Sequence, residues 1–82
     1  MSKIIPNGET IERTRILSGM TASELARRAG VPASAINRAE RNVSVSVTTA
    51  NGICKALGRS FDDLFRIVRP GGPASQAREG VS

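Results

Sequence analysis

Residues 21–41, TASELARRAGVPASAINRAER, constrain the chain more than any other stretch, because one short run carries two helix starts and a forced turn. Thr21 followed three residues later by Glu24 is a capping box: the Thr21 hydroxyl accepts from the Glu24 amide while the Glu24 carboxylate reaches back to the Thr21 amide. A helix over Ala22 to Ala29 follows, with Leu25 and Ala29 four apart on one face. Gly30 supplies the positive φ of a sharp C-terminal turn, Val31 is the apolar pin inside it, and Pro32 presets entry into the next helix. That helix runs from about Ala33 to Arg41. At about 100° per residue, Ala35, Ile36 and Ala39 gather on one side, whereas Ala33, Ser34, Asn37 and Arg38 gather roughly opposite. Two short helices therefore meet at a tight bend, and the second has one apolar face and one small, polar face.

The flanks supply the scaffold. Asn7 can cap a first helix from about Gly8 to Ser18, with Glu9 and Glu12 near its positive end and Arg13 and Arg15 later. Ile11, Thr14 and Leu17 recur at helical spacing and are expected to face the core, and Met20 anchors the link that follows Gly19. Val43 to Val47 alternates V-S-V-S-V, the period of a strand, but with no second strand to pair with it reads as an extended loop. Ser46 caps a fourth helix over Val47 to Leu57, in which Ala50, Ile53, Cys54 and Leu57 form a buried stripe. Gly52 within it costs about 1 kcal/mol relative to Ala unless a neighbour needs the room. Gly58 ends this helix and Ser60 opens the last one through S-F-D-D, with Phe61, Leu64 and Phe65 closing the core. The chain divides into an N-terminal arm, residues 1–7, a helical domain, residues 8–68, and a flexible tail rich in Pro, Gly, Ala and Ser, residues 69–82.

Composition narrows what such a scaffold can do. A chain of 82 residues with 2% aromatic content builds one small core from aliphatic side chains, which suits an all-α fold. The formal charge of +5 favours a polyanionic partner, since neutralising phosphates releases counterions; arginines on solvated helix faces are the alternative reading. With no histidine and one cysteine, the chain lacks a nucleophile–base pair, a cysteine or histidine metal site and an intrachain disulfide. Cys54 reads as a small core residue, and the Asp62–Asp63 pair reads as helix-start charge and not as a metal site. A non-enzymatic protein without cofactors or metal is expected. No apolar run nears the roughly 18 residues that span a bilayer, so a cytoplasmic location, with no membrane partner, is expected.

Residues 11–65 resemble the lambda-repressor/Cro-like, or Xre-type, helix-turn-helix regulators. The likeness lies in the order of R-x-x-x-G-M-T from Arg15, E-L-A at Glu24 to Ala26, A-G-V at Ala29 to Val31, I-N-R-A-E at Ile36 to Glu40, and K-A-L-G-x-S-x-D-D-L-F from Lys55. The resemblance implies a compact five-helix domain, helices 2 and 3 forming the helix-turn-helix. It would bind a palindromic DNA operator as a homodimer and act on transcription, most simply as a repressor, with helix 3 in the major groove. In the family, exposed positions at the start and middle of helix 3 read bases; here these are Ala33, Ser34, Asn37 and Arg38. Asn37 suits adenine and Arg38 guanine or a phosphate, Ser34 suits a base edge or phosphate, and the Ala33 methyl suits a thymine methyl. Arg15 and Glu40 match a family pair that ties helix 1 to the end of helix 3.

The departures are informative too. Ala22 stands where the family commonly places a Gln that bonds a phosphate, so anchoring moves elsewhere: to Thr21 and Ser23, to Arg27 and Arg28, or to Arg41, Asn42 and Ser44. Arg27 and Arg28 read first as a solvated helix end and second as DNA contacts. The dimer interface falls either at the end of helix 5, with Phe65, Ile67 and Val68, or on the arm, with Ile4 and Ile5. A phage or mobile-element repressor, a restriction-modification controller and an autoregulating antitoxin all fit, each expected to be nucleoid-associated in the cytoplasm of a prokaryote or phage system. The rival is a protein-interaction module, such as the antitoxin of a toxin–antitoxin pair, whose scaffold or tail holds a protein partner.

Overall fold

The protein, as a computed structural model, is described over residues 2–69. In chain order the elements are β1 (Lys3–Pro6), α1 (Gly8–Leu17), α2 (Ala22–Ala29), α3 (Ala33–Glu40), α4 (Val47–Leu57), α5 (Phe61–Leu64) and β2 (Phe65–Val68). The expected five helices are present. Their starts are the ones that local chemistry selects: Asn7 Oδ1 accepts from the Thr10 amide (3.3 Å), Thr21 Oγ1 from Glu24 (3.1 Å) and Ser46 Oγ from Thr49 (3.2 Å). Each satisfies an amide that the first helical turn leaves without a partner.

Each helix sends one large side chain fully into the core. These are Ile11, Leu25, Ile36, Ile53 and Leu64, each contributing about 1.5–3 kcal/mol by leaving water. Met20, Ala26, Ala39, Ala50, Cys54, Leu57 and Phe65 complete the packing together with Ile4 from β1. Burial pushes the Cys54 thiol above its ordinary pKa, as does the nearby Asp63 charge, which keeps it an unreactive core residue. The Phe61 and Phe65 rings lie 5.3 Å apart, tilted by 35°, over the end of the core.

Several details differ from the sequence expectation. Leu17 is 77% exposed: six residues after Ile11, it lies about 240° around the helix, off the buried side. Thr14, about 60° from Ile11 by the same rotation, is buried. The return half of the Thr21 box does not form, because the Glu24 carboxylate accepts from Arg28 (3.2 Å) one turn further on, a charge-assisted bond in place of a neutral amide. The last helix stops at Leu64, and Phe65–Val68 pairs antiparallel with Lys3–Pro6, bringing Ile4 opposite Ile67 and Pro6 opposite Phe65. The run F-R-I-V is a good strand sequence once a partner exists, and residues 3–6, read from sequence as part of an arm, provide it. The loop at Val45 also finds a neighbour there, bridging Ile4 through its amide (3.2 Å to the Ile4 carbonyl). Of the expected tail, residues 70–82 lie outside the described residues.

Helix α2 lies across α4 with little room between them. A Cβ at Gly52 would collide with the backbone carbonyl oxygen of Ala29, so the absent side chain is what allows the crossing. Helix propensity alone would make Gly52→Ala stabilising by about 1 kcal/mol. The expected result is the opposite: a loss of about 1–3 kcal/mol, the usual cost of overpacking against groups that cannot yield, read as a lower thermal midpoint.

Candidate nucleic-acid interface

The bend between α2 and α3 is built as its residues require. Gly30 caps α2 at φ 75° with its N–H on the Ala26 and Arg27 carbonyls, and the Val31 amide donates to Ala26 (3.0 Å). This double closure at a left-handed residue turns the chain sharply and satisfies the last carbonyls of α2. Ile36 and Ala39 are fully buried, and they fix the rotation of α3 about its own axis. As a consequence Ala33, Ser34, Asn37 and Arg38 all stand exposed along the opposite side, with Ala35 half-buried between the two faces. Pro32 occupies the cap position without a side-chain acceptor, so the first turn of α3 presents backbone N–H groups and the positive end of its dipole outward.

An ion pair holds the other end of α3. Arg15 Nε donates to Glu40 Oε2 at 2.7 Å, Nη2 donates to Oε1 at 3.4 Å, and Nη1 donates to the Met20 carbonyl at 2.9 Å. The two side chains are only 14% and 13% exposed. The Glu40 hydrogen bond outweighs the cost of burial and holds the Arg15 guanidinium above its ordinary pKa. One guanidinium thus joins α1, the link into α2 and the last residue of α3. A second tie lies beside it: Asn42, at φ 66°, accepts the Gly8 amide on its Oδ1 (2.8 Å), joining the loop after α3 to the start of α1.

The remaining candidates fall into separate groups. Ser34, Arg38 and Ser44 come together, lining with Pro32, Ala35, Val45, Ser46 and Thr49 a recess of about 350 Å³ between α3 and the start of α4. The sequence marks Ser46 only as a helix cap and does not single out Thr49, although an S-x-x-T spacing places two hydroxyls there; Ser46 Oγ donates to Thr49 Oγ1 (3.1 Å). Thr21 and Ser23 are exposed at the first turn of α2, and Arg27 and Arg28 at its last turn, none of them lining the recess. Arg28 is tied to Glu24, whereas Arg27 has no ion-pair partner among the described residues. Arg41 is exposed at the C-terminal cap of α3.

Among the described residues, no group of three or more acidic, cysteine or histidine side chains could hold a metal ion, and no helix is long and apolar enough to cross a membrane. The geometry therefore offers a convex, small-residue helix face flanked by hydroxyls, amides and guanidinium groups. Such a surface suits a polyanion with a groove wide enough to admit a helix.

The sequence model of a family described as helix-turn-helix matches residues 11–64. No curated protein is significantly similar to the chain. Among solved structures it is similar to SinR, the master regulator for biofilm formation, in complex with DNA, at 32% identity and a TM-score of 0.62 over 67% of this chain and 90% of that one. A mutant of the restriction-modification controller protein C.Esp1396I is similar at 30% identity and a TM-score of 0.58, over 65% of this chain and 70% of that one. The transcriptional regulator VanUg, 24% identical with a TM-score of 0.63 over 80% of this chain and 88% of that one, shares the fold.

Proposed function

The chain belongs to the helix-turn-helix family, in its lambda-repressor/Cro-like form, and we propose that it is a DNA-binding transcriptional regulator that reads a palindromic operator as a homodimer, most simply as a repressor. The observation that carries this reading is the exposed face of α3. Ala33, Ser34, Asn37 and Arg38 stand together on it while Ile36 and Ala39 are buried beneath. The small residues at 33 and 34 let the helix approach a groove floor closely, leaving Asn37 and Arg38 as its long-reaching readers. Asn37 suits the N6/N7 edge of adenine and Arg38 suits guanine O6/N7.

Phosphate anchoring is assigned to the surrounding groups. Ser44 flanks the α3 face at the recess, and Ser46 and Thr49 join it there. Thr21, Ser23, Arg27, Arg28 and Arg41 offer further hydroxyl and guanidinium donors, and Asn42, whose Oδ1 is engaged by Gly8, retains its side-chain N–H₂. These contacts set register; they carry no sequence information themselves. The described SinR structure is a DNA complex, which supports the same class of partner here. The protein acts by binding and not by catalysis, its work placed in the cytoplasm of a bacterium or in a phage-infected cell.

A second reading, a protein partner on the scaffold, is favoured by the outer side of α1, where Ile16 is 59% and Leu17 77% exposed beside Glu9, Glu12 and Arg13. Titration against random-sequence duplex DNA at several salt concentrations separates the two. For DNA binding the logarithm of the affinity falls linearly with the logarithm of salt, by about 0.9 per phosphate neutralised. Undetectable binding at low salt would favour the protein partner.

A further inference from the structure

We propose that the outer edge of β2 is the dimerisation surface, with the second copy's β2 added antiparallel in the register that sets Ile67 against Ile67 across a two-fold axis. This rests on the reading of the chain as a two-fold regulator and supplies the interface that reading needs. A two-stranded sheet has two open edges, but here one is occupied: Val45 donates its amide to the Ile4 carbonyl on the outer side of β1. On the outer side of β2 the Phe65 amide is taken by the Phe61 carbonyl of α5, and beyond Phe65 no strand or loop pairs with this edge among the described residues.

The direction of the backbone groups follows from pairing rules. In an antiparallel ladder a residue's N–H and C=O point to the same side, and opposed residues alternate between bonded and non-bonded pairs. Ile4 turns its carbonyl toward Val45, away from β2, so Ile4–Ile67 is a non-bonded pair, and Ile67 points both of its own backbone groups at the open edge. Pro6 opposite Phe65 fits the same phase, since a proline has no N–H to give to β2. Two copies of Ile67 facing each other would exchange two N–H···O=C bonds at the axis.

Side chains favour the same register. Ile4, Pro6 and Phe65 are buried on the core side of the sheet, and Ile67 shares that side by its pairing with Ile4, yet it is 62% exposed because nothing lies beyond it. A two-fold axis perpendicular to the sheet keeps core faces together, so a second Ile67 would cover the first and extend the core across the interface. The register one residue earlier would bring Arg66 against Arg66, like charges directly opposed, and would call on the Phe65 amide, which is already bonded to the Phe61 carbonyl. The chain's own continuation is a poor occupant, because residues 70–73 read Pro-Gly-Gly-Pro, the residue types least suited to a strand.

Strands of four residues make a small interface, so association is expected in the micromolar range. Sedimentation equilibrium of the full chain from about 1 μM to about 500 μM should show a monomer–dimer equilibrium. Ile67→Lys places two like charges at the axis and should weaken the dimer more than about tenfold. Ile67→Pro removes the outward N–H without adding charge and should do the same. Both should keep the wild-type far-ultraviolet circular dichroism, and Leu17→Lys on α1 should leave association unchanged. A wild-type chain monomeric throughout, a dimer indifferent to Ile67→Lys, or a dimer lost through Leu17→Lys instead would overturn the proposal. No DNA is present in these measurements, so that result would leave the DNA reading standing, while a folded, dimeric chain that ignores DNA would remove the reading and keep the interface.

Discussion

Replacing Arg15 by alanine is expected to lower folding stability by about 3 kcal/mol, the low end of what breaking a buried ion pair costs. The magnitude follows from what the change leaves behind. Arg15 makes two hydrogen bonds to Glu40 and one to the Met20 carbonyl, with both charged side chains largely shielded from water. Without it, a shielded carboxylate remains with no counter-charge. Glu40 is also the last residue of α3, where the negative end of the helix dipole opposes a second negative charge. Glu40→Ala should therefore cost less than Arg15→Ala, since the guanidinium it strands keeps the Met20 carbonyl and is favoured near that helix end. The double variant should recover part of the loss, and chemical denaturation of the three proteins measures the coupling directly. Equal midpoints for Arg15→Ala and wild type would mean the pair contributes nothing.

The largest functional effect is expected on the face of α3. Asn37→Ala and Arg38→Ala should each weaken binding to the selected operator by about 1–3 kcal/mol, and each should relax discrimination at one or two base pairs. Folding should be unaffected, because both side chains are exposed and make no hydrogen bond within the described residues. Arg38 carries a sharper signature. If it reads a guanine, Arg38→Ala loses affinity mainly on the cognate sequence; if it holds a phosphate, loss is uniform across sequences and the salt slope falls by about one. Competition binding with cognate and random duplexes at two salt concentrations distinguishes these. Arg27→Ala, by the same measurement, should change the slope and not the sequence preference.

Much of the centre of the molecule was legible in the sequence because its signals are local. Thr21 and Ser46 announce their helices within three residues, Gly30 and Gly58 end theirs, and the buried pattern of Ala50, Ile53, Cys54 and Leu57 needs only the helical period. The exposed face of α3 follows once Ile36 and Ala39 are placed inward. What could not be read depended on residues far apart. Lys3–Pro6 and Phe65–Val68 are strands only because they meet, and nothing near Phe65 says that Ile4 waits for its neighbour. The Gly8–Asn42 bond and the closeness of Ala29 to Gly52 are likewise products of packing. Glu24 was misassigned for a different reason. Two partners lay within reach, and the charged one at Arg28 took it.

The most direct test of the whole reading is selection of bound sequences from a random duplex library by the 82-residue chain. The expected result is enrichment of one motif made of two inverted half-sites about 10 bp apart, centre to centre, as two-fold recognition helices in successive major grooves require, with positions lost when Asn37 or Arg38 is replaced. Recovery of no preferred sequence by a folded chain, or of a motif unchanged in both variants, would contradict it.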